Sequence, residues 1–310
     1  MQTHRREFYS DGIRLDGLLQ LPDGPRAIQP RPVVVLCSGF QGLKELIPAK
    51  LWGAFTAAGY ACFAFDYRGF GTSEGERGRV LPQEQVDDVQ NAITFLQQQP
   101  ELDPERMGLV GWGLGGGIVV QAAAEDVRVC AVVCLNGVGD AGRAVRDSRP
   151  YADWLAMQDR IAADRVQRVL TGRSQLVSPW EVVPLDPATH AHVEDDMYGN
   201  HERFGVDVSL QSAEAYYAFR PERVVDRISP RPLLIVHGVR NALHPIDEAR
   251  RLYARAREPK ELIELPTAQH LDWIQPGDPL YAATVPRIID WFQHHVPVDA
   301  AQTRAERLYA

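Results

Sequence analysis

The chain has 310 residues, 45% hydrophobic and 24% charged, an ordinary globular composition that allows one large core or a core carrying an insertion. Its formal net charge of −8 argues against a nucleic-acid partner, which wants a basic patch against phosphates. No apolar run approaches the roughly 18 residues of a bilayer span, and the opening Met1-Gln-Thr-His-Arg-Arg-Glu-Phe lacks the apolar stretch of a signal peptide, so a cytoplasmic protein is expected.

Segments 6–10 and 13–21, around Asp11-Gly12, read as an opening hairpin. The apolar, β-branched 32–37 is a buried strand, followed by a helix over 48–58 and a strand over 60–66. Val86, Val89, Ile93 and Leu96 give 81–98 helical spacing, with Pro82 in its first turn. A strand over 107–110, a helix over 114–124 and a strand over 127–135 continue the alternation of a mostly parallel sheet covered on both faces. The pattern then breaks. About ninety residues cannot be a plain loop inside a compact domain, so 139–227 is expected to be an inserted, mainly helical cap, with helices near 151–170 and 210–218. Alternation resumes with a strand at 232–237, a helix at 246–257, a strand at 261–265 and a helix at 282–294. The expected division is a core over 1–138 and 228–297, the cap between them, and a peripheral tail over 298–310.

The strongest functional signal is Met107-Gly-Leu-Val-Gly-Trp-Gly-Leu-Gly-Gly-Gly117. A strand, a glycine-crowded turn and a helix form the context of a nucleophile elbow, whose pattern is G-x-S-x-G. Gly111-Trp112-Gly113-Leu114-Gly115 fits everywhere except at the nucleophile, because Gly113 has no side chain. The glycines do not have the G-x-G-x-x-G spacing of a dinucleotide turn, and no cofactor is expected.

Three further segments complete a constellation: Cys37-Ser-Gly-Phe-Gln-Gly-Leu-Lys-Glu45, Phe65-Asp-Tyr-Arg-Gly-Phe-Gly-Thr-Ser-Glu-Gly75, and His237-Gly with the later Gln269-His270. In this order and spacing the chain resembles the α/β-hydrolase superfamily over nearly its whole length. Within it, the chain is most similar to cap-bearing bacterial hydrolases related to the dienelactone hydrolase and prolyl-peptidase-like groups. The resemblance implies a mostly parallel central sheet flanked by helices, with oxyanion-hole amides from Phe40 or Gln41 and from Leu114, and Trp112 beside the substrate. It places the base at His270. Where such families typically carry the triad aspartate, His237-Gly-Val-Arg-Asn241 carries asparagine. Asp140, beyond the strand that follows the elbow helix, is a relocated acid, and Asp247 a reserve whose place at a helix start suggests a cap.

Without an oxygen or sulfur for the histidine to activate, the ordinary acyl-enzyme route is closed. The oxyanion donors and the base position persist. The expectation is an atypical enzyme acting on a small carbonyl-containing molecule, with His270 taking a proton from water or from the substrate and Asn241 or Asp140 orienting it. Lyase, decarboxylase or cyclase chemistry fits the same groups. So does a noncatalytic or inactivated member, because the strained elbow backbone itself favours glycine. Ser38, Cys37 and Asp66 are minor alternatives, Asp66 more simply holding the turn after its strand. Cys37, Cys62, Cys130 and Cys134 lack C-x-x-C spacing and read as reduced thiols. His190-Ala-His192-Val-Glu-Asp195-Asp196 reads as a solvated acidic turn rather than a metal site. Among Trp154, Trp180, Tyr198, Tyr216, Tyr217 and Phe219, some rings are expected to pack the cap on the core and others to line a cavity. No motif speaks to oligomeric state.

Overall fold

The structure is a computed structural model describing residues 1–23, 30–41, 43–198 and 203–299. The chain opens with the hairpin β1 (Gln2–Ser10) and β2 (Ile13–Leu21), turning at Asp11-Gly12 with φ of 51° and 79°. Then follow β3 (Arg31–Cys37), α1 (Ile47–Ala57), β4 (Ala61–Phe65), α2 (Pro82–Leu96), β5 (Leu102–Trp112), α3 (Leu114–Glu125) and β6 (Val129–Leu135). Every residue of β4, and all of β3 after Arg31, is buried, as strands covered on both faces require. In α2, Pro82 and Glu84 occupy the first turn, where a missing N–H is harmless and a negative charge meets the helix dipole.

The cap lies between β6 and the next core strand. It holds α4 (Ala141–Asp147), the 21-residue α5 (Tyr151–Thr171), β7 (Leu176–Val177), α6 (Pro179–Val182), α7 (Pro187–His192), a π-helical turn at Val193–Tyr198, β8 (Val208–Ser209) and α8 (Leu210–Ala218). The core resumes with β9 (Leu233–Gly238), α9 (Ile246–Arg255), β10 (Lys260–Leu265) and α10 (Pro279–His295). The eight core strands are ordered β1-β2-β4-β3-β5-β6-β9-β10; only the first two pairings are antiparallel. β7 and β8 pair within the cap. Together these describe the α/β-hydrolase fold with an inserted helical cap, and no helix of the described residues is long and apolar enough to cross a membrane.

Several details differ from the sequence reading. The strand expected over 107–110 runs from Leu102 to Trp112, because polar Asp103, Glu105 and Arg106 interrupt its apolar pattern without ending its pairing. Residue 127 is not in a strand: α3 is followed by Asp126, and Val127 is 82% exposed. α4, α6 and α7 went unread because helices of seven, four and six residues show too little periodicity. They are set instead by their caps: Asp140 accepts from Arg143 N, Ser178 forms a capping box with Glu181, and Asp186 accepts from Ala188 N and Thr189 N. From residue 300 the expected tail lies outside the described residues.

The turn after β5 is packed backbone against backbone. A Cβ on Gly111 would stand 2.0 Å from Gly115 O, and one on Gly115 would stand 2.2 Å from Ser38 O. Neither oxygen can move without breaking the turn. Gly111→Ala and Gly115→Ala are therefore expected to cost about 2–3 kcal/mol each, lowering Tm by roughly 3–5 °C in calorimetry. Gly113→Ala should cost less, since its Cβ would meet nothing closer than 3.4 Å. Equal losses at all three positions would contradict this packing.

Candidate active site

At the end of β5 the chain reverses through Gly113, with φ 59° and ψ −122°, a conformation costly for a residue with a Cβ. Gly113 N donates to Leu135 O at 2.9 Å, and Gly113 O accepts from Gly116 N at 3.0 Å. These bonds lock the turn between β6 and α3. A Cβ at 113 would point at two imidazoles, 3.4 Å from His270 Nε2 and 3.9 Å from His244 Cε1. Space for a side chain therefore exists at the elbow, and the chain leaves it unused.

The loop after β3 closes over this turn. Leu114 is the first residue of α3, where an N–H has no intrahelical acceptor. The loop comes close beside it: a Cβ on Gly39 would lie 3.1 Å from Trp112 O and 3.9 Å from Leu114 N. Phe40 lines the cavity and meets Tyr216 edge to face at 5.7 Å. Gln41, at φ 76°, sends its side chain away to the cap. Its amide donates to Val206 O at 2.9 Å and accepts from Gly205 N and Val206 N at 2.9 and 3.1 Å. Behind the loop, Lys44 N donates to Asp66 Oδ1 at 2.9 Å, the buried Lys44 ammonium pairs with Asp66 and Asp16, and Thr72 N also donates to Asp66. Asp66 thus anchors the loop after β3 and the glycine turn after β4 from within the core. Trp112 forms one wall, its ring 6.1 Å from that of His270.

His270 is 6% exposed, in the loop after β10. Its carbonyl accepts from Asn136 Nδ2 at 2.8 Å, and the same amide's oxygen accepts from Gly238 N at 2.8 Å. Asn136, at φ 47° after β6, thereby ties the His270 loop to the end of β9. Nδ1 of His270 has no hydrogen-bond partner among the described residues. Asn241 does not orient it. Its Oδ1 accepts from His244 N at 3.0 Å, and its Nδ2 lies 3.3 Å from His237 Nε2. Asp140 is likewise committed elsewhere. It caps α4, accepting from Arg143 N at 3.0 Å, and pairs with Arg220 at 2.9 Å. Both residues expected to steady the imidazole are thus held by nearer partners, and the structure brings neither into a bond with it.

A second histidine completes the site. His244, just before α9, donates from Nδ1 to Asn136 O at 2.8 Å, and its ring lies 5.0 Å from that of His270. Burial drives the pKa of His237 and of His244 down to about 4. His270 is held well below the ordinary value by burial first, then by His244 and His237. All three imidazoles are neutral at pH 7. Sequence reasoning passed over His244 and Asn136. The signal for His244 is a histidine directly before Pro245 at the start of the helix following a core strand; for Asn136 it is an asparagine directly after one.

Gly113, His244 and His270 face a cavity of about 70 Å³ between cap and core. Its walls are apolar, from Leu46, Ile47, Trp112, Trp180, Met197 and Phe204. Of the other cap aromatics, Tyr198 accepts from Trp180 Nε1 at 2.8 Å. Phe219 packs near Gly117, and Trp154 and Tyr217 line a separate polar cleft. Ser38 lines the main cavity, but Cys37 beneath it is buried, its pKa raised to about 12 by burial, so it is no thiolate nucleophile. No group of three or more His, Cys, Asp or Glu among the described residues is placed to hold a metal ion. His192 instead packs against Gln275, 2.8 Å between their side-chain nitrogens.

Comparison with known proteins places this geometry. An uncharacterized 31.7 kDa protein of Escherichia coli, from the traX-finO intergenic region, is 30% identical over 291 residues, 93% of this chain and 97% of that one. A polyketide transferase of a Penicillium species is 28% identical over 291 residues, 92% and 94% of the two chains. The crystal structure of a hypothetical protein from Pseudomonas aeruginosa superposes with a TM-score of 0.81 at 26% identity, covering 95% of this chain and 94% of that one. Residues 28–274 match the family described as serine aminopeptidase, S33. The chain therefore belongs to the serine aminopeptidase S33 family of α/β-hydrolase-fold proteins.

Proposed function

We propose that this chain is an enzyme acting on a compact carbonyl-bearing organic molecule, with His270 as general base and no covalent enzyme intermediate. One observation carries the reading: His270 Nε2 points, within 3.4 Å of an absent Cβ, into the space a serine would fill. A water or an acidic substrate group standing there is within reach of an unprotonated imidazole. The amides of Leu114 and Phe40 receive the charge that develops on the carbonyl oxygen. Because burial keeps His270 weakly basic, proton removal must accompany the chemistry at the carbonyl rather than precede it. The apolar and aromatic walls favour a substrate with an apolar body; kinship with a polyketide transferase supports an oxygenated carbon chain or ring. Attack by water on an activated ester is the leading reaction, and lyase, decarboxylase or cyclase chemistry uses the same groups. The order of motifs at 37–45, 65–75 and 107–117 supports the kinship with dienelactone-hydrolase-like and prolyl-peptidase-like enzymes.

A second reading, a binding protein or an inactivated hydrolase, is favoured by the unpartnered Nδ1 of His270, because a triad histidine is normally steadied there. The test is a turnover screen over aryl esters, thioesters and lactones, followed by His270→Ala and His270→Gln and by intact-mass analysis. The expected result is a fall in kcat of about 100-fold or more in both variants, with no acyl adduct. Undiminished turnover in both variants removes His270 as the base, a trapped adduct removes the noncovalent route, and no turnover of any substrate favours the binding protein.

A further inference from the structure

Tyr216 and His244 line the cavity and are unused by this reading. Because a backbone carbonyl only accepts, the 2.8 Å contact with Asn136 O fixes the proton of His244 on Nδ1. Its Nε2 therefore carries a lone pair. Tyr216 Oη lies 3.4 Å from that nitrogen and must donate to it, since the nitrogen has nothing to give. The phenol's own oxygen lone pairs are then left as acceptors. Tyr216 is 1% exposed, and its phenol stays protonated because burial raises its pKa. Its ring packs edge to face on Phe40, beside the oxyanion loop. With the amides of Leu114 and Phe40 as the donors of the proposed function, the site has an acceptor on its other side, at Tyr216.

We propose that Tyr216 and His244 form an acceptor pole of the cavity and that the substrate carries an O–H group, a hydroxyl or enol, near the carbonyl. This rests on the reading of the cavity as a carbonyl-binding site. The tautomer of His244 sets the direction of the hydrogen bonds: the substrate O–H donates to Tyr216 Oη, Tyr216 O–H donates to His244 Nε2, and His244 Nδ1–H donates to Asn136 O. An apolar pocket discriminates weakly against an added or missing methyl group. A buried group that must be hydrogen-bonded discriminates strongly, because a ligand lacking the donor leaves it unpaired. The 3.4 Å Tyr216–His244 separation is long for such a bond and is expected to shorten when a donor polarises the chain.

The test uses two probes that differ by OH for CH3, α-hydroxyacetophenone and propiophenone. Imidazole nitrogen NMR of the ¹⁵N-labelled protein at pH 7, assigned with His244→Gln, is expected to show Nδ1 protonated and Nε2 bare, with the Nε2 signal moving on addition of the hydroxy ketone. Titration should show the hydroxy ketone binding about tenfold or more tightly than propiophenone. Tyr216→Phe, which keeps the ring, should abolish that preference. A proton on Nε2 of His244, equal affinity for the two ketones, no binding of the hydroxy ketone, or a preference that survives Tyr216→Phe overturns the proposal. Turnover that persists in the His270 variants, with the preference still dependent on Tyr216, sinks the His270 mechanism alone.

Discussion

Gly113→Ser is expected to convert a protein inert to fluorophosphonates into one labelled stoichiometrically, the adduct mapping to residue 113 by mass spectrometry. A Cβ there has room, with His270 Nε2 at 3.4 Å, and an Oγ one bond further comes within hydrogen-bond distance of that nitrogen. The amide of Leu114, at the start of α3 where it has no intrahelical acceptor, is expected to receive the phosphonyl oxygen. Holding a side chain at φ 59° costs about 1–3 kcal/mol, which the bonds around Gly113 N and O can sustain. Esterase turnover should remain small. In serine proteases, asparagine in place of the triad aspartate lowers kcat by about 10⁴, and here His270 Nδ1 has no hydrogen-bond partner among the described residues. Labelling should accordingly take hours. Labelling of the unmodified protein would reveal an overlooked nucleophile, with Ser38 the nearest to the oxyanion loop. A folded Gly113→Ser that resists labelling would mean that His270 does not face the turn.

What was legible in the sequence and what was not divide along physical lines. The alternation of buried strands and amphipathic helices is a local pattern, so the sheet and the position of the cap could be read from it. The elbow was legible because glycines at 111 and 115 are demanded by backbone contacts within a short stretch and with Ser38. Phe40, Leu114, Trp112 and His270 follow once the order of strands is known, since each sits at or just past the end of one. The orientation of side chains beyond those ends was not legible. Asn241 faces His237 and His244 rather than His270 because its own loop curls around it. The direction of His244 is set by Asn136, a residue 108 positions earlier in the chain. Asp140 is a partial exception. An aspartate three residues before an arginine at a helix start has the signature of an N-cap, and that local role, together with Arg220, takes up its carboxylate.

The same buried histidines make stability depend on pH in a defined window. His237 and His244 titrate near 4 in the folded protein, and His270 also falls well below 6.5, whereas the unfolded chain binds those protons near pH 6.5. Between the two values the unfolded state holds more protons, so stability rises with pH. The contribution is complete above about pH 6.5 and is lost as pH falls toward 4. Carboxylates held below their usual range, such as Asp16, Glu101 and Asp196, behave differently: their contribution persists until the pH nears 4 and fades below it. A decline between pH 6.5 and 5 therefore belongs to histidines. For His237 and His244 it amounts to about 3 kcal/mol, a drop in Tm of roughly 5 °C for a chain of this size, and His270 adds to it in the same direction. Thermal unfolding at pH 7.5, 6.0 and 5.0 should show it, and His237→Asn, away from the cavity, should flatten the slope by about a third. A Tm constant over that range would mean that the imidazoles reach water or a carboxylate. In that case His270 would titrate close to neutrality, and proton removal at the elbow would have a much stronger base behind it.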